Sequence, residues 1–335
     1  MDWQAFVVTR TDGGVDAGVQ TLSDDDLDPG GVLIDVEWSA VNYKDAMVTV
    51  PGNRLARRSP LVPGVDLAGV VAESDDPSVE VGAAVVVHGY DLGVARHGGF
   101  AQRARVPADW VVPMPEGMTA RQAVTIGTAG FTAVLSMHAL RHAGVEPGSG
   151  PVLVTGATGG VGSMAVAALA RQGYEVVAST GKLHEHDYLR ALGAAEVVGR
   201  EALETEPRRV LGEPRWAGSV DCVGGPTLAS VLRTLRYRGA VAASGLTAGT
   251  DVQTTVYPFI VRAVSLIGID SVATPIDERR RVWATIAEAL PGDVVESMVS
   301  AEVGLDGVAP VLAEVLAAHV RGRVLVAPRR AASGS

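Results

Sequence analysis

Residues 154–164 read Val-Thr-Gly-Ala-Thr-Gly-Gly-Val-Gly-Ser-Met, and no other stretch limits the possible folds as sharply. The apolar triplet Val152, Leu153 and Val154 leads in, and the apolar helical run from Met164 to Ala170 leads out. A strand that turns through glycines into a helix gathers bare backbone N–H groups and the positive end of a helix dipole at one point. Such a point suits a pyrophosphate, and glycine there lets the phosphate approach the backbone. Glycines also serve tight helix–strand packing. The strand before and the helix after favour the dinucleotide site.

The next strand indicates which dinucleotide. It reads Tyr174-Glu175-Val176-Val177-Ala178 and runs into Ser179, Thr180, Gly181 and Lys182. Folds that prefer NAD carry an acid about 20 residues after the glycine turn, where it accepts hydrogen bonds from the ribose hydroxyls. Residues 178–182 hold no acid. A hydroxyl, free N–H groups and an ammonium suit a 2′-phosphate instead, so the expected cofactor is NADPH. Lys182 stands out because the chain holds 28 Lys plus Arg, of which Lys44 and Lys182 are the only lysines.

A length of 335 residues points to two domains, and 47% hydrophobic with 20% charged residues describes a packed globular chain. A net charge of −10 without a basic stripe excludes nucleic acid as a general partner. The one cysteine, Cys222, leaves no internal disulfide and fits a reducing cytoplasm. The N-terminus has no basic-then-apolar signal, and no apolar run is read as approaching a membrane span.

Two organisations follow along the chain. Up to residue 125 short strands alternate with turns, as in Val32, Ile34, Val36 and Trp38 against Leu33, Asp35, Glu37 and Ser39. Further strands are expected over 63–71, 84–87, 100–106 and 110–112, giving a small β-barrel-like domain. Over 126–270 strand and helix alternate, from a helix at 127–143 to a strand at 264–269, which predicts a doubly wound parallel sheet. The segment 271–335 ends in the strand Arg323-Val324-Leu325-Val326 and is expected to return to the first domain.

This architecture resembles the medium-chain dehydrogenase/reductase superfamily over nearly the whole chain. Asn42-Tyr43-Lys44-Asp45 resembles the "NYKD" segment of its quinone-oxidoreductase-like branch, and Gly127-Thr128-Ala129-Gly130-Phe131 the helix at the domain crossover. Val256-Tyr257-Pro258-Phe259-Ile260 and Gly268-Ile269-Asp270-Ser271 are similar to segments of the acrylyl-CoA reductase subfamily. The resemblance implies a Rossmann-type sheet domain beside a GroES-like catalytic domain. It implies Thr158, Gly159, Gly160 and Val161 at the pyrophosphate, with Ser179, Thr180, Gly181, Lys182 and Arg200 at the 2′-phosphate end. It also implies Leu246, Ile260 and Ser271 at the nicotinamide side, with Tyr43 beside the nicotinamide; ordinary core packing is the alternative for Leu246 and Ile260. An apolar strand at 264–269 offers an edge to a second copy, so a homodimer is expected.

Zinc-dependent relatives place a cysteine near 42–45 and a Gly-His-Glu where this chain has Gly64-Val65-Asp66, so no metal is implied. The chemistry expected without one is hydride addition to a polarised double bond. Reduction of a short enoyl-CoA, acrylyl-CoA to propionyl-CoA foremost, places hydride at the β-carbon and a proton at the α-carbon. A quinone or enone reductase is the alternative, and a non-catalytic NADPH-binding sensor is a third reading. Tyr43 is the candidate proton donor, against a reading in which it packs on the cofactor and water protonates the product. Asn42 is read as orienting ribose or substrate, and Lys44 with Asp45 also reads as an exposed ion pair. Arg54, Arg57 and Arg58 form a basic cluster that suits coenzyme A phosphates or a solvated loop equally.

Overall fold

Two ten-residue strands, β1 (Asp2–Thr11) and β2 (Gly14–Ser23), open the chain as an antiparallel hairpin. The apolar run of β1 buries Trp3, Ala5, Phe6, Val7 and Val8, whereas β2 has no buried residue. The computed structural model describes residues 1–203 and 210–330. The last five positions of the C-terminal segment expected over 271–335 lie outside the described residues.

The period-two stretch forms β3 (Val32–Ala40), and α1 (Tyr43–Met47) follows it. Next come β4 (Asp66–Ser74), β5 (Ala84–His88), β6 (Arg103–Val106) and the two-residue β7 (Val112–Pro113). The strand expected from residue 63 starts at Asp66, because Gly64 sits at φ +101° and breaks the extended path. The strand expected over 110–112 is a 3-10 turn, Ala108–Trp110, leading into β7. Val32, Ile34 and Val36 share a core with Leu67, Val71, Val85, Val87 and Val106.

The helix expected over 127–143 starts earlier, as α2 (Ala120–His142), with non-helical geometry at Gly127. By length and composition α2 could cross a membrane, which corrects the reading that no apolar run approaches a span. Its most apolar window is 83% buried inside the protein.

The second unit comprises Ala129–Ser271 with Glu288–Val294. It contains β8 (Val152–Val154), α3 (Gly160–Arg171), β9 (Val176–Ser179), α4 (His186–Ala191), β10 (Glu196–Val198) and β11 (Trp216–Asp221). Then follow α5 (Gly225–Thr234), β12 (Leu235–Ala243), α6 (Tyr257–Arg262) and β13 (Ser265–Gly268). All six strands run parallel, in the order β10-β9-β8-β11-β12-β13. Numbered within the unit, that order is 3-2-1-4-5-6, the doubly wound arrangement with its switch point between β8 and β11.

The first unit takes Met1–Thr128, Val272–Ala287 and the chain from Val295 onward. Its late elements include β14 (Val299–Val303) and β15 (Arg323–Val326). They extend the first sheet to the order β14-β15-β3-β4-β5-β7, with β6 on β3. Val324 and Val326 of β15 join Phe6, Ala46, Val308 and Leu312 in one core, which seats α1 against the C-terminal part of the chain.

Candidate active site

In the second unit the glycine turn links β8 to α3, with Gly159 as the residue before the helix. The first N–H groups of any helix lack partners within it, so those of Gly160 and Val161 are available there. A Cβ on Gly162 would fall 2.3 Å from the Gly156 carbonyl oxygen, so only glycine lets the helix start this close to the turn. The Ala157 N–H donates to the Ser179 carbonyl (3.1 Å), and the hydroxyls of Thr158 and Thr180 lie 3.4 Å apart. The turn and the end of β9 are therefore one site.

Beyond Ser179 the Lys182 N–H donates to Thr180 Oγ1 (3.0 Å). A Cβ on Gly181 would come within 2.7 Å of Arg200 Nε, which places that guanidinium against the same bend. Burial pushes the Lys182 ammonium pKa down, and nearby Arg200 adds to the shift while Glu185 opposes it. Ser179, Thr180, Gly181, Lys182 and Arg200 are thus brought together, with two cations. The ends of β11 and β12 also converge. Asp221 accepts from Thr155 Oγ1 and the Gly224 N–H, each at 2.7 Å, and its carbonyl receives Ser244 and Gly245. Leu246 follows and is 47% exposed, and Ser271 is buried after β13. Ile260 lies on α6 and is 76% exposed. Neither Leu246 nor Ile260 belongs to the apolar core.

In the first unit the NYKD segment forms α1 and the residue before it. Asp45 is wholly buried and bonded, which corrects its reading as an exposed partner of Lys44. Its carboxylate accepts the N–H groups of Gly64 and Val65 (3.0 Å each) and of Asn42 (2.8 Å). Burial raises its pKa to about 7; the N–H groups oppose this, and the neighbouring Asp66 carboxylate reinforces it.

The amide of Asn42 is committed at both ends. Nδ2 donates to Asp66 Oδ2 (2.8 Å), and Oδ1 accepts from Arg323 Nη1 (3.0 Å). Arg323 comes from β15 and also donates to Asp66 Oδ2 and to the Thr125 carbonyl, both at 3.0 Å. Asp66 Oδ1 accepts the Thr128 N–H (2.9 Å) and its hydroxyl (2.5 Å). Both partners of the Asp66–Arg323 pair are buried, with side-chain exposures of 0% and 2%. A buried pair this fully hydrogen-bonded holds geometry: loss of either partner strands a charge away from water. Asn42 and the α1 helix that carries Tyr43 are thereby tied to β4, α2 and β15. Tyr43 itself is half-buried at the first position of α1.

Asp66, Thr128 and Arg323 were not singled out from sequence. The available signals are the motif positions of Asp66 and Thr128; Arg323 lies 257 residues from Asp66 and carries none. Thr128 also lines a cavity of about 250 Å³ in this unit, together with Lys44, Tyr90 and Val272.

The sheet order and the glycine turn at its switch point define a dinucleotide-binding fold, joined in one chain to a strand-rich unit with a buried polar cluster. Family comparison agrees: the model for zinc-binding dehydrogenases matches residues 160–288, and that for the alcohol dehydrogenase GroES-like domain matches residues 28–116. The acrylyl-CoA reductase AcuI of Ruegeria pomeroyi is 47% identical over 97% of this chain and 98% of its own. YhfP of Bacillus subtilis, classed with the quinone oxidoreductases, is 46% identical over 97% of this chain and 98% of its own. Its structure with NAD bound superposes with a TM-score of 0.94, at 45% identity over 98% of this chain and 99% of that one. The yhdH oxidoreductase of Salmonella enterica in complex with NADP gives a TM-score of 0.93 at 43% identity, over 97% and 99% of the two chains.

The chain belongs to the medium-chain dehydrogenase/reductase superfamily, in the subfamily that contains AcuI and YhfP. It is a nicotinamide-dependent oxidoreductase. The zinc in the family description does not fit the residues at the corresponding place. Asn42 and Val65 provide neither thiolate nor imidazole there, and both oxygens of Asp66 are engaged by Arg323, Asn42 and Thr128.

Proposed function

We propose that this chain uses NADPH to reduce the activated C=C bond of a short enoyl-CoA, acrylyl-CoA to propionyl-CoA foremost. The full-length likeness to AcuI carries the substrate reading. The acid-free bend at 179–182, with Lys182 and Arg200 beside it, supports NADPH over NADH.

In this reading Thr158, Gly159, Gly160 and Val161 hold the pyrophosphate, and Ser179, Thr180, Gly181, Lys182 and Arg200 hold the 2′-phosphate. Leu246 and Ser271 border the nicotinamide. Ile260 borders it as well, and the exposed Tyr257 and Val261 on the same helix form an apolar face near the edge strand β13, where a second copy would complete a homodimer. Bound NADPH supplies hydride to the β-carbon of the substrate. As negative charge builds on the thioester oxygen, the Tyr43 hydroxyl donates a hydrogen bond and then a proton, which ends on the α-carbon. Asn42, engaged at both ends of its amide, acts as a positioning residue for Tyr43.

NADPH consumption with acrylyl-CoA and with 1,4-benzoquinone at matched concentrations tests the reading. A large kcat/KM preference for the thioester, and for NADPH over NADH, is expected. Preference for the quinone would favour the second reading, which the likeness to YhfP supports. Consumption of neither, with NADPH still bound, would favour a sensor.

A further inference from the structure

The cavity in the first unit has a graded lining. Val65, Val94 and Thr128 are buried, Leu55 and Tyr90 half-buried, and Arg54 and Arg57 exposed. Its buried lining is uncharged, and its mouth is cationic. The three arginines of the cluster have different commitments. Arg57 is paired with Asp91, and Arg58 turns to Asp28 and the Pro60 carbonyl. Arg54 has no carboxylate partner among the described residues, in a chain with 38 acids to 28 cations.

The loop that carries Arg54 is held on both sides. The Leu55 N–H donates to Asn53 Oδ1 (2.8 Å), the Arg57 N–H donates to the Val94 carbonyl (2.8 Å), and Ala56 packs with Val48 and Leu61. The Tyr90 wall is equally fixed. Its ring stacks on Trp110 with centroids 5.0 Å apart, and the Arg279 guanidinium lies 4.5 Å from its centroid. The Tyr90 hydroxyl donates to the Thr274 carbonyl (3.2 Å). With such walls, about 250 Å³ admits a short acyl group but not a nucleotide. The phosphates of a nucleotide-borne thioester would therefore remain at the mouth, within the field of Arg54.

We infer that Arg54, with Lys44 at the same cavity, anchors the phosphates of the coenzyme A carrier and selects carrier-bound thioesters over neutral enones. The inference rests on the enoyl-CoA reading and adds the residue that discriminates. A guanidinium meets a phosphate with paired, charge-assisted hydrogen bonds, so its loss weakens binding roughly 10- to 100-fold.

The test combines calorimetric titration of coenzyme A with kinetics on acrylyl-CoA and the phosphate-free acrylyl-pantetheine, in wild type, Arg54→Ala and Arg54→Lys. In Arg54→Ala, the Kd for coenzyme A and the KM for acrylyl-CoA should each rise at least tenfold. The kcat should stay within about twofold and kcat/KM for acrylyl-pantetheine should hold. Arg54→Lys should recover part of the loss. Coenzyme A binding that is absent from the wild type or unchanged in Arg54→Ala overturns the anchor, as does an equal loss on both thioesters. A wild type that binds coenzyme A through Arg54 yet reduces only quinone would keep the anchor and sink the enoyl-CoA reading.

Discussion

Tyr43 begins a five-residue helix that could not persist alone, since an isolated helix of that length is unstable in water. Its persistence comes from Asp45, which collects three backbone N–H groups, and from Asn42, held between Asp66 and Arg323. The phenol is therefore delivered on a fixed support. Removing its hydroxyl should leave that support intact, so Tyr43→Phe should lower kcat for enoyl thioester reduction at least about tenfold while circular dichroism stays unchanged. Unchanged turnover would assign protonation to water. The NYKD segment was legible as a chemical unit, but the division of labour within it was not. Nothing in the local sequence says that Asp45 points inward while the neighbouring Tyr43 stays half-exposed.

The element that most depends on one residue is α2. Gly127 interrupts it at φ +43° and ψ −148°, a conformation nearly closed to residues with a Cβ, and a Cβ there would lie 2.3 Å from Asp66 Oδ2. The break frees the Thr128 N–H to meet the buried carboxylate rather than continue the helix ladder. Gly127→Ala should cost at least about 2 kcal/mol in urea unfolding and lower kcat through the displaced Asp66. A variant of wild-type stability would show that the bend is not needed. Patterning found this helix by its apolar length and placed its start seven residues late, at the glycine where its geometry breaks. The hairpin partner β2 is similarly faint: none of its residues is buried, so little in its composition alternates.

At the scale of the whole molecule, Asp45 links stability to pH. Its pKa is about 7 in the folded chain against an ordinary 3.8, so the folded state holds this proton more tightly. The stability from that proton is full below about pH 3.8 and is lost as pH rises through 7. Asn at position 45 cannot ionise, so the stability of Asp45→Asn relative to wild type should improve between pH 5 and pH 8. Melting temperatures of the two proteins across that range check this, and a difference independent of pH would show that Asp45 does not titrate there.

By itself the sequence determined the parallel sheet with its glycine turn, because strand and helix periods and the needs of a close backbone approach are written in neighbouring residues. It also carried the absence of an acid after β9, a matter of composition at one bend. Only the tertiary structure decided the buried cluster of Asn42, Asp66, Thr128 and Arg323 and the separate fates of Arg54, Arg57 and Arg58. Those depend on which distant side chain reaches a given carboxylate. A partner 257 residues away leaves no periodic trace along the chain.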